Sequence, residues 1–206
     1  VSRKKGSSIH LFLLFVVMLV LIWSLIKPEE GYKVLLMEIS PSVLVLLFLI
    51  SRYNHFRLTS VSYVIITLLV ILTFIGGHYS YAKVPLFTWI KDYFDLHRNH
   101  YDRFGHFLKG LMVIVIIEIL VRKTALFKSK TTNVIALCIT LAIGALYEII
   151  EWLSTKIGKE EKATKDFLGM QGDIWDAQWD MTCLLVGSIL SLFFTKLLYK
   201  QLEKYR

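Results

Sequence analysis

The sequence predicts an all-α fold, a polytopic transmembrane helical bundle of about six spans. Three observations carry that reading. Hydrophobic residues fill 55% of the 206 positions and charged residues only 19%, against roughly 45–50% and about 25% in a soluble domain. The charges are bunched between apolar runs rather than interleaved with them. Each run is close to the ~20 residues needed to cross a hydrocarbon core. With only three prolines and no Pro-, Gly- or Ser-rich linker, residues 1–206 read as a single transmembrane domain.

The first span covers Ile9–Ile26, behind Arg3, Lys4 and Lys5. Its start resembles a signal peptide, but the run is too long and no small-x-small cleavage site follows, so an uncleaved anchor is expected. The second, Val34–Ile50, contains Glu38 and Pro41 and is expected to be interrupted there. The third, Leu58–Ile75, is expected to end at Gly76-Gly77. A long outer segment, 76–103, precedes the fourth span, Phe104–Val121. The fifth is Thr131–Trp152, and a second outer segment, 153–175, leads to the sixth, Asp176–Leu198.

Loop charge orients these spans. Arg3, Lys4, Lys5, Arg52, Arg57, Arg122, Lys123, Lys128, Lys130, Lys196, Lys200, Lys204 and Arg206 fall on one side, with Glu203 as the single acid among them. By the positive-inside rule that side is cytoplasmic, and both termini with it. The net charge of +8 reflects this loop bias, not a nucleic-acid partner. Trp23, Trp89, Trp152, Trp175 and Trp179 all fall at the opposite boundary, where aromatic residues anchor helices. Cys138 and Cys183 lie inside apolar runs without a CxxC partner and read as small buried residues, which excludes a disulfide framework or thiolate metal site.

Polar residues converge on the outer side. His78 ends the third span; His100, Asp102 and His106 open the fourth; Glu148 and Glu151 close the fifth; Asp173, Asp176 and Asp180 open the sixth. Helical spacing puts Asp102, His106 and Lys109 on one face, and Glu148 and Glu151 on another behind Ala136, Thr140 and Gly144. Asp173, Asp176 and Asp180 run into Cys183, Gly187 and Ser191. Small residues mark helix–helix contacts in membranes, and ionisable ones face the bundle interior. The expected arrangement is an outer-face pocket with Glu38 near it. Other charges have bland readings: Glu118 with Arg122 is an i,i+4 pair, His10 and His55 are surface residues, and Lys156, Lys159, Glu160, Glu161 and Lys162 form a solvated loop.

Carboxylates and imidazoles at one depth suit either a divalent metal such as zinc that activates water, or a proton or cation relay. The catalytic candidates are His106, Asp102, Glu148, Glu151, Asp176 and Asp180; the metal-ligand candidates are His78, His100, His106, Asp173 and Asp176. The spacing His97-x-x-His100 is only weakly specific for zinc, and no HExxH, GxSxG or phosphate-cradling glycine loop is present.

The strings Gly76-Gly77-His78-Tyr79-Ser80-Tyr81-Ala82-Lys83-Val84-Pro85-Leu86 and Arg98-Asn99-His100-Tyr101-Asp102-Arg103-Phe104-Gly105-His106-Phe107 resemble the YjdF-like bacterial inner-membrane proteins. So do Tyr147-Glu148-x-x-Glu151-Trp152 and Gly172-Asp173-x-Trp175-Asp176-x-Gln178-Trp179-Asp180-Met181. The resemblance implies a multi-pass protein of the bacterial cytoplasmic membrane and brings no activity with it. The helix start Asp102–Phe107, with the later Asp173–Asp180 segment, is also similar in outline to VanZ-like membrane proteins. That pattern's Arg before the Asp pair and Asn in the last span are not clearly present, so no glycopeptide-related function is carried over.

Three functions remain open: a metal-dependent hydrolase or transferase on a lipid-linked or envelope substrate, a transporter using the acids as relays, and a non-catalytic docking or structural protein. The lipid bilayer is the one partner the sequence names. The topology makes a direct prediction. Cysteines placed within Lys83–Arg98 should react with an impermeant thiol reagent from the outer side of intact membranes, and labelling from the cytoplasmic side overturns the orientation.

Overall fold

The computed structural model describes residues 8–124, 126, 129–157 and 171–203. Among them the chain is helical throughout, with no strand. The elements are α1 (Ser8–Ser24), α2 (Gly31–Arg52), α3 (Ser60–His78), α4 (Pro85–Tyr93), α5 (Tyr101–Lys109), α6 (Met112–Lys123), α7 (Lys130–Ile157), α8 (Asp176–Ser191), a 3₁₀ turn at Leu192–Phe194, and α9 (Thr195–Leu202). Five stretches are long and apolar enough to cross a membrane: α2, α3, α5 continued by α6, α7 to Leu153, and α8 continued through α9. The shorter apolar α1 has 17 residues, or roughly 26 Å at ~1.5 Å per residue. Arg3, Lys4, Lys5, Lys128, Lys159, Glu160, Glu161, Lys162, Lys204 and Arg206, named in the charge and loop readings, lie outside the described residues.

Several sequence expectations need correction. Gly76 and Gly77 do not end the third span; α3 runs through them to His78. A β-carbon at Gly76 would press into the Tyr81 ring, and one at Gly77 would lie 2.8 Å from Ile39 Cγ2 and 3.2 Å from Glu38 Cβ. These glycines let neighbours approach closely, as small residues do between membrane helices. Pro41 does not interrupt α2, which is continuous from Gly31 to Arg52. The segment before the fourth span contains a helix, α4, started by Pro85 at its first turn. Cys138 is exposed and Cys183 half-buried, so neither is a buried core residue. His10 is buried, not on the surface: its two ring nitrogens lie 2.9 Å from Tyr53 Oη and 2.9 Å from Ser60 Oγ.

Three apolar clusters form, one of them Tyr81, Val84 and Tyr101 beside the start of α5, and the other two hold the spans together. Val17, Leu35, Ile39, Val70 and Phe74 join α1 and α2 to α3. Leu58, Ile65, Val113, Ile117, Ala136 and Leu198 join α3, α6, α7 and α9 at the end that carries Arg57 and Arg122. There Glu118 is wholly buried and fully used. It accepts from Thr59 N–H (2.8 Å), Thr59 Oγ1 (2.7 Å) and Ser62 Oγ (2.5 Å), and pairs with Arg122 Nη1 (2.6 Å). The i,i+4 pair read from the sequence is present; the carboxylate also anchors the start of α3, where helix N–H groups lack partners.

The tightest crossing is between α5 and α8. At Gly110 the helix tightens through i→i+3 bonds, Gly110 N–H to Phe107 O (3.2 Å) and Val113 N–H to Gly110 O (3.2 Å). A β-carbon on Gly187 would collide with the Phe107 carbonyl, and one on Gly110 with the Gly187–Ser188 backbone. Gly144 of α7 faces the tip of the Leu184 side chain rather than backbone. The substitution Gly187→Leu should therefore lower the melting temperature in detergent, at a cost of about 1–3 kcal/mol or more from overpacking. An unchanged melting temperature rejects the crossing.

Candidate functional site

The polar site gathers where α5 begins, α7 nears its end and α8 begins. The approach to α5 is built first. Asn99 is buried, and its side-chain amide donates to Val84 O (3.1 Å) and Thr88 Oγ1 (3.1 Å) while its Oδ1 accepts from Tyr101 N–H (3.0 Å). Gln171 spans its backbone, accepting from Asn99 N–H (2.8 Å) and donating to Asn99 O (2.9 Å). These bonds hold the segments that lead into α5 and α8 side by side. Tyr101 Oη donates to Leu72 O (2.8 Å), tying α5 to α3.

Two arginines and two aspartates occupy the rim. Arg98, only 5% exposed, pairs with Asp176 and lies 3.8 Å from Asp173 Oδ2. Arg103 Nη2 lies 2.5 Å from Asp173 Oδ2 and 3.5 Å from Asp176 Oδ1. Asp173 Oδ1 also accepts from Trp175 N–H (2.9 Å). Those two donors, first the Trp175 amide and then Arg103, hold the Asp173 carboxyl below the usual carboxylate range. Half-buried His100 is pushed down by burial and by the adjacent Arg103 and Arg98. Trp179 covers Arg103, with 5.5 Å from guanidinium carbon to ring centre.

Beneath this rim lies a second group. Asp102, His106 and Asp180 each offer a ligand atom, and these atoms lie within 4.8 Å of one another. His106 is 1% exposed and Asp180 2%. His106 Nε2 is 3.7 Å from Asp102 Oδ1 and 3.3 Å from Glu148 Oε1, and it accepts from Lys109 Nζ at 2.9 Å. Lys109 also sits over the Tyr147 ring at 4.5 Å. His106 Nδ1, Glu148 Oε1 and Asp180 Oδ1 are buried and make no hydrogen bond among the described residues. Burying polar atoms without a partner is costly. Glu38, buried on α2, and Glu151 interact electrostatically with Asp102 and Lys109.

The structure thus brings Asp102, His106, Glu148 and Asp180 together, and places Asp173 and Asp176 on the arginine rim. His78 stands apart from this group: its Nδ1 lies 3.1 Å from Ser24 O and its ring packs on Trp23 and Tyr79. His100 and His97 are not in the ligand group either, and His97 is exposed. Arg98 and Gln171 were missed as site-forming residues in the sequence. For Arg98 a signal existed: an arginine five positions before Arg103, immediately ahead of a span, faces two acids ahead of another span.

The family of predicted membrane proteins DUF2238 matches residues 9–201. The inner membrane protein YjdF of Escherichia coli (strain K12) is 39% identical over 160 residues, which covers 77% of this chain and 76% of that protein. No solved structure matches the chain.

Removing one partner from a buried ion pair strands the other charge, at about 3–5 kcal/mol. Arg98→Ala should therefore lower the melting temperature markedly, and Arg98→Lys should recover only part of it, because a point charge cannot serve both aspartates. Equal stability of wild type and Arg98→Ala, measured by thermal unfolding in detergent, refutes a structural rim.

Proposed function

The chain belongs to the DUF2238 family of predicted membrane proteins, and we propose that this multi-pass protein holds a divalent metal such as zinc at Asp102, His106 and Asp180. In this reading it acts from the bacterial inner membrane on a lipid-linked or envelope substrate, as a hydrolase or transferase. The carrying observation is the ligand triad within 4.8 Å, with Asp180 Oδ1 buried and lacking a hydrogen bond among the described residues.

Charge supports the same reading. On the rim, Arg98 and Arg103 answer Asp173 and Asp176. Below it, Asp102, Glu148 and Asp180 carry three negative charges when ionised, and Lys109 answers one; a divalent ion would answer the other two. One His nitrogen and two carboxylates form a donor set that zinc accepts, with a coordination position left for water. A metal there would supply a water made acidic enough to attack at neutral pH. Glu148, 3.3 Å from His106 Nε2, is the carboxylate left to take that proton. Asp176 and Asp173 orient the arginines, and Glu151 extends the acidic face along α7.

A through-membrane relay has less support. Glu118, the one deep acid toward the other end among the described residues, is neutralised by Arg122 and saturated by Thr59 and Ser62. Elemental analysis of protein purified without chelator tests the proposal. About one transition-metal ion per chain is expected, lost in His106→Ala and in Asp180→Asn and retained in His97→Ala. A wild-type protein with no metal, and no uptake on titration with zinc or cobalt(II), overturns it.

A further inference from the structure

A cavity of about 190 Å³ lies between α1, α2 and α3, lined by Leu14, Val17, Leu46, Leu49 and Ile66 and headed by His10, Tyr53, Asn54 and Tyr63. Its origin is topological. The six residues 25–30 tie α1 to α2 at the end where α3 finishes. Both helices then lie against α3, and the start of α1 and the end of α2 flank a wedge at the opposite end. The wall is aliphatic, yet the head is polar and organised. His10 is fixed between Tyr53 Oη and Ser60 Oγ, with its ring 4.5 Å from the Tyr63 ring. The Tyr63 hydroxyl finds no acceptor among the described residues. The Arg57 guanidinium lies 4.5 Å above the Tyr53 ring, which places a cation beside this head. Arg52 is exposed one residue before Tyr53.

We propose that this cavity is a binding site for an anionic phospholipid of the adjoining leaflet, with one acyl chain between α1 and α2 and the phosphate at the Tyr53–Arg57 head. The volume decides how much of the lipid enters. Pockets that engulf a ligand run to roughly 300–1,000 Å³, so this one takes part of a single chain and leaves the rest in the bilayer. Charge decides which lipid: basic residues at a helix end select anionic headgroups. The site is separate from the Asp102–His106–Asp180 group and does not depend on a metal there.

Native mass spectrometry of the full chain, titrated with phosphatidylglycerol and with phosphatidylcholine of identical chains, tests this. The anionic lipid should bind about tenfold more tightly, Leu46→Trp should weaken both lipids by filling the wedge, and Arg57→Gln should erase the preference while both still bind. Equal affinity for the two lipids, or a preference that survives Arg57→Gln, overturns the proposal. Should Leu46→Trp fail to fold, wild type photo-crosslinked to phosphatidylglycerol with a diazirine on the chain decides. Adducts concentrated on α1, α2 and α3 at Leu14, Leu46 and Ile66 support the site. Adducts spread over exposed positions such as Phe193 and Leu197 overturn it.

Discussion

The site depends on how closely α5 and α8 approach. Helices in a bilayer gain little from hiding apolar surface, because lipid is as apolar as the neighbouring helix; they associate through close packing and polar contacts. At Gly110 and Gly187 the two backbones touch with no side chain between them. That contact sets the rotation of α8, and rotation decides where Asp176 and Asp180 point. The Phe107 carbonyl makes the Gly187 contact, and His106 and then Asp102 precede it along α5. A side chain at either glycine would part the helices and leave acids without the groups they now face.

Charge is arranged in two tiers. The rim is a balanced quartet of two arginines and two aspartates, bonded between the start of α5 and the start of α8. The tier below is unbalanced, with one histidine, one lysine and a surplus of carboxylates. Intramembrane ionisable groups are expensive even on lenient scales. A balanced quartet is accounted for by its own pairs; an unbalanced one needs something further, and this contrast lends the lower tier its functional reading. At the opposite end Glu118 shows the structural alternative, a buried acid with its partners supplied.

Much of this was legible in the sequence, for physical reasons. The hydropathy runs identified the spans because a bilayer demands long apolar helices. The i,i+3 and i,i+4 spacings put Asp102, His106 and Lys109 on one face, and Gly187 on the face that continues Asp180. What the spacing could not supply was pairing between helices. Asp173 and Asp176 read as ligands on their own helix, and only their nearness to Arg98 and Arg103 assigns them to ion pairs. His78 was grouped by depth, whereas its ring turns toward α1 and Ser24. Gly76-Gly77 read as a stop because glycine weakens a helix in water, and Pro41 as a break because it lacks an N–H; α3 and α2 continue through both. The cavity at His10 had no sequence signal, since it arises from two helices parting along a third.

The arginine rim also has a consequence in time. Arg98 and Asp176 are 78 positions apart, and synthesis proceeds at roughly 5–20 residues per second. For roughly 4–16 seconds after Arg98 leaves the ribosome, Asp176 has yet to follow it. Two positive charges, Arg98 just ahead of α5 and Arg103 in its first turn, therefore precede their partners through insertion of α6 and α7. They are paired only once α8 has arrived beside α5, so the rim is among the later contacts of the bundle to form. A chain that stops short of Asp173 and α8 lacks both rim carboxylates and so cannot form these pairs.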